Sequence, residues 1–374
     1  MLKGIHLTLM VGPAVPLPAP KPVVDALQSV SVTSATGTAS GFQLTFAVSS
    51  HSPLHTLLLL AGGRVPWLRV LLVVTINGQP QVLMDGLVTH QEVAGSNDPG
   101  VSTLTVTGKD LSVAMDQIEM SGLPFPAMPV EARIALIIAK YAIFGMIPLV
   151  IPAIFSDLPL PIDRIPSQQG TDLQYISKLA KDAGYIFYVD PGPEPGTNTA
   201  YWGPEIKVGL PQPALNIGMD AHSNCEGLSF KFSNEGSTLP IVYIQNSLTK
   251  FPIPIPIPDV SLLNPPLGAI PPLPKAIDFM TETAKLSPLD ALSKGLAKAA
   301  ASSDVVTANG NLDVLRYGRL LKSRSLVGVR GAGVSFDGLY YVKSVTTTLK
   351  PGEVKQSFVL TRNGLVSTLP EVPA

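Results

Sequence analysis

Apolar and polar residues alternate most cleanly near the N-terminus, where Phe42, Leu44, Phe46 and Val48 are separated by polar or small side chains. A period of two puts every second side chain on one face, so this segment predicts a half-buried strand. Val70 to Ile76 is a continuous apolar, β-branched run that ends in Asn77-Gly78, the strongest short hairpin signal. The chain then returns through 81–93, and Val101 to Thr107 alternates again, with Asp110 placed to cap a short helix. Residues 1–120 therefore predict an antiparallel β domain, a small barrel. From Pro129 the period changes: Ile134, Ile137, Ile138 and Tyr141 share a helical face, giving a helix near 129–144. Thr171-Asp172-Leu173-Gln174 has the form of a capping box, and Gly184 closes a helix over 171–184 that leads straight into strand Tyr185 to Val189. Residues 121–205 form a small α+β unit on this pattern.

Strand signals resume at 228–232 and 241–244. Phe251 to Pro258 has proline at every second position, so it should be extended, polyproline-like or at a sheet edge. Residues 275–301 predict helix, with Ser287-Pro288 as a second helix start. β pattern returns through Leu326–Arg330, Leu339–Leu349, the Pro351-Gly352 turn and Val354–Thr361. The fold class is mainly β, with α+β character. Residues 206–250 and 315–366 make a second, discontinuous β-barrel domain, interrupted by a Pro-rich and helical insertion over 251–314.

The two β domains share landmarks. Asp85-Gly86-Leu87 and Pro99-Gly100 recur as Asp337-Gly338-Leu339 and Pro351-Gly352 at a shift of 252 residues, with Val93 meeting Val345. Two residues of slippage then bring Leu104, Val106, Thr107 and Leu111 onto Phe358, Leu360, Thr361 and Leu365. Asp-Gly and Pro-Gly are common turn dipeptides, but four landmarks at matching spacing point to duplication, and predict that residues around 80–111 and 335–365 superpose.

Composition narrows the function. The 374 residues are 45% hydrophobic but only 14% charged, with 26 Lys and Arg against 27 Asp and Glu. So little net charge draws the whole molecule neither to nucleic acid nor to anionic membrane. Thirty-seven prolines argue against a helical bundle, and the single Cys225 against an internal disulfide. The N-terminus lacks a signal-peptide cleavage pattern. Segments 54–76 and 141–155 are apolar but interrupted by His55, Arg64, Pro66 and Arg69 in one and Pro148 and Pro152 in the other, and neither fits a spanning helix. A membrane-associated assembly or pore using these segments stays as the alternative reading.

Chemistry is sparse. His6, His51, His55, His90 and His222 form no metal-binding spacing; Pro53 spoils helical geometry between His51 and His55, and His222 with Cys225 lacks a second ligand pair. No nucleophile elbow or phosphate loop occurs, and 328–333 has the wrong glycine order for a dinucleotide fingerprint. The expectation is no enzyme, no catalytic, cofactor or metal residues, and no cofactor. Arg316, Arg319, Lys322 and Arg324 form a basic cluster with only Tyr317 nearby, read first as a solvated or subunit-facing stripe.

Three runs carry a resemblance. GTDLQYISKLAKDAGYIFYVDP (170–191), VSTLTVTGKDLS (101–112) and LRYGRLLKSRSLVGVRGAGVSFDGLYYVKSVTTTLKPGEVKQSFVLTR (315–362) resemble baseplate hub proteins of contractile phage tails and injection systems. That group includes the late control D proteins and the N-terminal half of type VI spike proteins. The resemblance implies a homotrimer in which two tube-type barrels per chain make a pseudo-sixfold ring. Such a ring nucleates the inner tube above it and holds a trimeric spike below. It implies other baseplate components as partners, no specific nucleic-acid binding, only indirect membrane contact, and assembly in the cytoplasm into a phage tail or tail-like particle. The hub pattern ends just before Ala374, and the expectation from the resemblance is that the spike, and any lytic activity, belong to another chain.

Overall fold

The computed structural model describes residues 4–48, 67–95, 102–153, 165–245, 251–257, 265–281, 283 and 288–369. Ile5–Gly12 (β1) and Leu17–Pro18 (β2) open the chain, followed by the antiparallel pair Leu27–Ala35 (β3) and Gly41–Val48 (β4). Phe42, Leu44, Phe46 and Val48 of β4 are all buried. Arg69–Ile76 (β5) is covered on both faces, which is why it reads as an unbroken apolar run. Asn77 and Gly78, at φ 50° and 80°, turn it into Gln79–Gly95 (β6). Two successive left-handed residues match the twist of a two-residue hairpin, and Asn-Gly supplies them at least cost. Ser102–Asp110 (β7) returns along β6, and the Asp110 carboxylate accepts the Ser112 amide at 3.0 Å to start a short 3-10 helix.

The α+β unit follows. Helix Val130–Ala139 buries Ile134, Ile137 and Ile138. Helix Asp172–Ala183 carries the expected capping box between Thr171 and Gln174 and stops at Gly184, φ 70°. With them pack Met146–Val150 (β8), Ile186–Pro191 (β9) and Asn198–Gly203 (β10), a small sheet in the order β8-β10-β9 around buried Trp202 and Ile176. Among the expected apolar segments, 69–76 is therefore a core strand and 146–150 an edge strand; 54–66 and 154–155 lie outside the described residues. No helix among the described residues is long and apolar enough to cross a membrane.

Gln212–Asn216 (β11) and Cys225–Phe232 (β12) come next, then Thr238–Gln245 (β13), Pro252–Pro256 (β14), Gly268–Ile270 (β15) and Ala276–Met280 (β16). Sheet β14-β13-β16 packs on helix Pro288–Ala301 through Val242, Ile257, Ala291 and Ala299. Helix was expected over 275–301, but its first part is strand β16, parallel to β13. Apolar Ile277 and Phe279 favour that pairing over an isolated turn of helix. The proline run is an edge strand: Ile253 and Ile255 lie opposite Ile244 and Val242, while Pro254 lies opposite Tyr243. The Tyr243 amide and carbonyl turn the other way, to the Thr283 hydroxyl at 3.2 Å. Prolines thus occupy the positions whose missing N–H β13 does not need.

Val306–Asp313 (β17), Leu326–Arg330 (β18), Gly338–Lys350 (β19), Glu353–Arg362 (β20) and Leu365–Ser367 (β21) complete the chain. The pairing places β17 inside the main sheet and β13 outside it, although the sequence pattern put 306–313 with the insertion and 241–244 with the second β domain. The main sheet runs β12-β17-β20-β19-β3-β4-β7-β6-β5-β1-β2, with β18 beside β19 and β11 beside β18. Two similar antiparallel β-barrel domains were expected; among the described residues the strands of both halves are joined in one continuous path. β3 and β19 join because Val30 and Val32 share a buried side with Thr347 and Leu349, so one core extends across both halves.

Within this path one pairing order occurs twice. β3-β4-β7-β6-β5 is matched by β12-β17-β20-β19-β18. The β6–β7 ladder shifts register between Val88 and His90, and the β19–β20 ladder between Val342 and Ser344. The β3–β4 ladder shifts between Leu27 and Ser29, and the β12–β17 ladder between Cys225 and Gly227. Bulges are fixed features of a ladder, so they equate His90 with Ser344 and Ser29 with Gly227. The expected repeat is present in topology, but its register differs. Ladders place β6 on β19 at a shift of 254 and β7 on β20 at 252, the reverse of the order read from the turn dipeptides. An error of two keeps every side chain on its proper face.

Candidate assembly face

The side of the main sheet turned away from the core is built mostly from small polar residues. On β17 it shows Thr307, Asn309 and Asn311; on β20, Ser357 and Val359; on β19, Ser344, Thr346 and Thr348. It continues across the junction through Ser29, Ser31 and Thr33 of β3, Gln43 and Thr45 of β4, and Thr103, Thr105 and Thr107 of β7. Thr suits such a surface because its β-branch favours the extended backbone while its hydroxyl remains hydrated. The hydroxyls of Thr33 and Thr346 bond each other at 2.9 Å across the β3–β19 junction. Charge appears at the borders, as Lys231, Asp313, Lys355, Lys109 and Glu92. A cavity of about 500 Å³ crosses β12, β17, β20 and β19 on this face, lined by Ser229, Asn309, Asn311, Ser344, Thr346 and Ser357 among others. Hydroxyls and amides without a fixed charge can wet a passing chain but give it no strong electrostatic hold.

Three buried arginines hold the frame behind that face. Arg69 donates from Nε and Nη2 to Asp85 at 2.7 and 2.6 Å, and from Nη2 to the Phe144 carbonyl at 2.9 Å, while Asn198 Nδ2 donates to Asp85 at 2.9 Å. This cluster ties the β5–β6 hairpin to the α+β unit. Arg324, held at φ 59°, donates to Asp190 Oδ1 at 2.6 Å and to the Ala35 carbonyl at 2.8 Å, and lies 4.0 Å over the Tyr188 ring. Burial pushes the Tyr188 hydroxyl up to about 12 against the pull of that guanidinium. Arg362 donates to the carbonyls of Gly364, Asp337 and Ser335 at 2.7 to 2.9 Å and lies over Tyr340. Asp85 and Asp337, matched in sequence, do different work: Asp337 uses its carboxylate to accept the Ala332 amide at 2.7 Å. A single arginine at the head of an apolar strand was the only sequence sign of the Arg69 cluster.

The sequence-flagged residues do not converge. His6, His90 and His222 stand apart, His51 and His55 lie outside the described residues, and no group of three metal-ligating side chains occurs among the described residues. Cys225 is buried, and burial pushes its thiol up to about 12. The basic cluster divides: Arg316, Arg319 and Lys322 are exposed, whereas Arg324 turns inward. A smaller cavity of about 220 Å³ lies between Tyr188, Tyr201, Arg324 and Tyr341, with the arginine's charge already met by Asp190.

The chain is similar to a tail protein from Neisseria meningitidis MC58 at a TM-score of 0.63 and 15% identity, over 97% of this chain and 98% of the other. It is similar to the 43 kDa tail protein of prophage MuSo2 from Shewanella oneidensis at 0.60 and 14%, over 96% and 98%. The chain has the fold of these phage tail proteins. A third neighbour, the E. coli c3393 protein, described as a type VI secretion component resembling T4 tail proteins gp27 and gp5, matches at 0.50 and 10% identity, over 93% and 77%. No protein-family profile and no curated protein sequence matches the chain.

Proposed function

We propose that this protein is a structural component of a contractile phage tail or injection apparatus, and within it the baseplate hub. The observation that carries the reading is the repeated five-strand order, with two ladder bulges at matching places in each half. A chain with two like halves contributes two like units to a ring, so three chains contribute six. A homotrimer of this kind converts the threefold symmetry of a spike into the sixfold symmetry of a tube. Its work is templating, not catalysis. The low charge and uncharged outward face suit large, lasting contacts between subunits and a lining that holds no cargo by charge. Partners on this reading are two further copies, a spike protein, the first ring of tube subunits and other baseplate components. Assembly takes place in the cytoplasm, and nucleic acid is not specifically bound. Fold likeness to phage tail proteins and to a type VI secretion component supports the setting.

The test is the native mass of the purified chain, alone and with tube subunits. A trimer that lowers the concentration at which tubes begin to form supports the hub reading. A monomer that leaves tube growth unchanged overturns it.

A further inference from the structure

The sequence contains three Asn-Gly pairs, at 77–78, 309–310 and 363–364. Asparagine before glycine carries a latent reaction, because glycine has no side chain to keep its nitrogen from the asparagine side-chain carbonyl carbon. The fold holds the three pairs in three different ways.

Asn309 and Gly310 lie inside β17, between β12 and β20, so each main-chain N–H of this stretch turns into one ladder or the other. A Cβ on Gly310 would stand 2.6 Å from the Phe358 ring and 2.7 Å from the Gly227 carbonyl oxygen, which leaves the backbone no room to rearrange. Asn363 is buried, and its Oδ1 accepts the amides of Leu267 at 2.8 Å and Gly268 at 3.3 Å. Gly364 packs on the Ile270 carbonyl, and its own carbonyl accepts Arg362 Nε at 2.7 Å.

Asn77 and Gly78 differ on every count. Both are exposed at the tip of the β5–β6 hairpin. Nothing lies within 4 Å of a Cβ built on Gly78, and the Gly78 N–H has no hydrogen bond among the described residues. The main-chain amide of Asn77 is anchored to the Gly4 carbonyl at 3.0 Å, but its side chain makes one long contact, from Nδ2 to the Gly318 carbonyl at 3.5 Å. That distance is at the outer limit of a hydrogen bond, so the side-chain amide is loosely held.

We propose that Asn77 is a site of spontaneous deamidation in the folded protein, and that the fold keeps Asn309 and Asn363 inert. The Gly78 nitrogen attacks Asn77 Cγ, and the new N–Cγ bond closes a cyclic imide as the Cγ–Nδ2 bond breaks. The Gly78 proton leaves with the Nδ2 group as ammonia. Water then opens the ring, its hydroxyl going to one ring carbonyl carbon and its proton to the nitrogen. Opening at Cγ gives aspartate; opening at the main-chain carbonyl gives isoaspartate. Nothing is oxidised or reduced, and the reaction needs no partner chain. Either product turns a donor facing the Gly318 carbonyl into an acceptor, next in sequence to exposed Arg319. Isoaspartate also adds a methylene to the main chain of a two-residue turn whose geometry sets the β5–β6 register.

The full folded chain, held at mildly alkaline pH and then mapped peptide by peptide by mass spectrometry, tests this. The peptide containing Asn77 should gain the mass difference between NH2 and OH, and isoaspartate there should be labelled by an isoaspartyl methyltransferase. Peptides containing Asn309 and Asn363 should change at least about tenfold more slowly, since a local opening that costs about 1.4 kcal/mol already gives that factor. In urea the three rates should converge. Asn77→Asp should remove the ammonia that the folded parent releases first. An Asn77 that keeps its amide in the folded chain, while the same position deamidates in urea, overturns the proposal. So does an Asn309 or Asn363 that reacts as fast as Asn77 before unfolding.

Discussion

Cys225 sits in β12 facing the core, and burial alone pushes its thiol up to about 12. The thiolate is the reactive form, so at pH 8 the native protein should leave a thiol reagent unconsumed and release one equivalent of reactivity only on unfolding. Rapid labelling of the folded chain would contradict that placement. Asp110 offers a pH test. Its carboxylate accepts the amides of Ser40 at 2.6 Å and Ser112 at 3.0 Å, yet burial dominates and raises its pKa. A raised folded pKa means the native state binds the proton more tightly than the unfolded chain. This group's contribution is therefore full below its unfolded value near 4 and is lost as pH rises through the folded value. Asp110→Asn cannot titrate, and it replaces one acceptor oxygen with a donor, costing about 1–3 kcal/mol at acid pH. The difference from the parent should shrink as pH climbs from 4 to 7. Urea midpoints at three pH values measure it, and a difference that grows with pH would sink the account.

Strands and helices obey their own rules, and these decide how much could be read in advance. Alternation in β4, the Asn77-Gly78 hairpin and the Thr171–Gln174 box were legible because each is a local device with a fixed residue signature. β16 was not, since Ala276–Met280 takes its conformation from β13, some 38 residues earlier in the ladder. The repeat was visible, but its register was set by bulges, which leave no residue signature as sharp as Pro-Gly. β14 was legible as an edge and yields a prediction of its own. Its outer side presents the carbonyls of Pro252, Pro254 and Pro256 without N–H groups, so an incoming strand finds acceptors and no donors. Pro254→Val restores a donor there and adds β propensity. Stability should change by less than about 0.5 kcal/mol, while light scattering should show greater self-association than in the parent. Unchanged scattering at matched concentration would remove the protective role assigned to the prolines.

Across the whole molecule, stiffness depends on how the α+β unit is fastened to the long sheet, and Arg324 is the fastening the sequence hid inside a basic cluster. Its side chain is 5% exposed and reaches three segments distant in sequence: Asp190 and Tyr188 on β9, the Ala35 carbonyl at the end of β3, and the Ser40 hydroxyl at 3.2 Å. Asp190, by contrast, is 51% exposed, so water screens its half of the ion pair. The two ends of one contact should therefore differ in worth. Arg324→Ala removes charge-assisted hydrogen bonds and the stacking on Tyr188, a loss of about 2–4 kcal/mol. Asp190→Asn should cost under about 1 kcal/mol. If the arginine acts as a fastening, its removal also raises hydrogen exchange at residues 186–190 and 33–40 together, leaving β17 and β20 protected. Equal costs from both substitutions would mean that the ion pair, not the stacking and backbone contacts, holds the unit. Exchange rising throughout the sheet would mean that Arg324 supports the core as a whole.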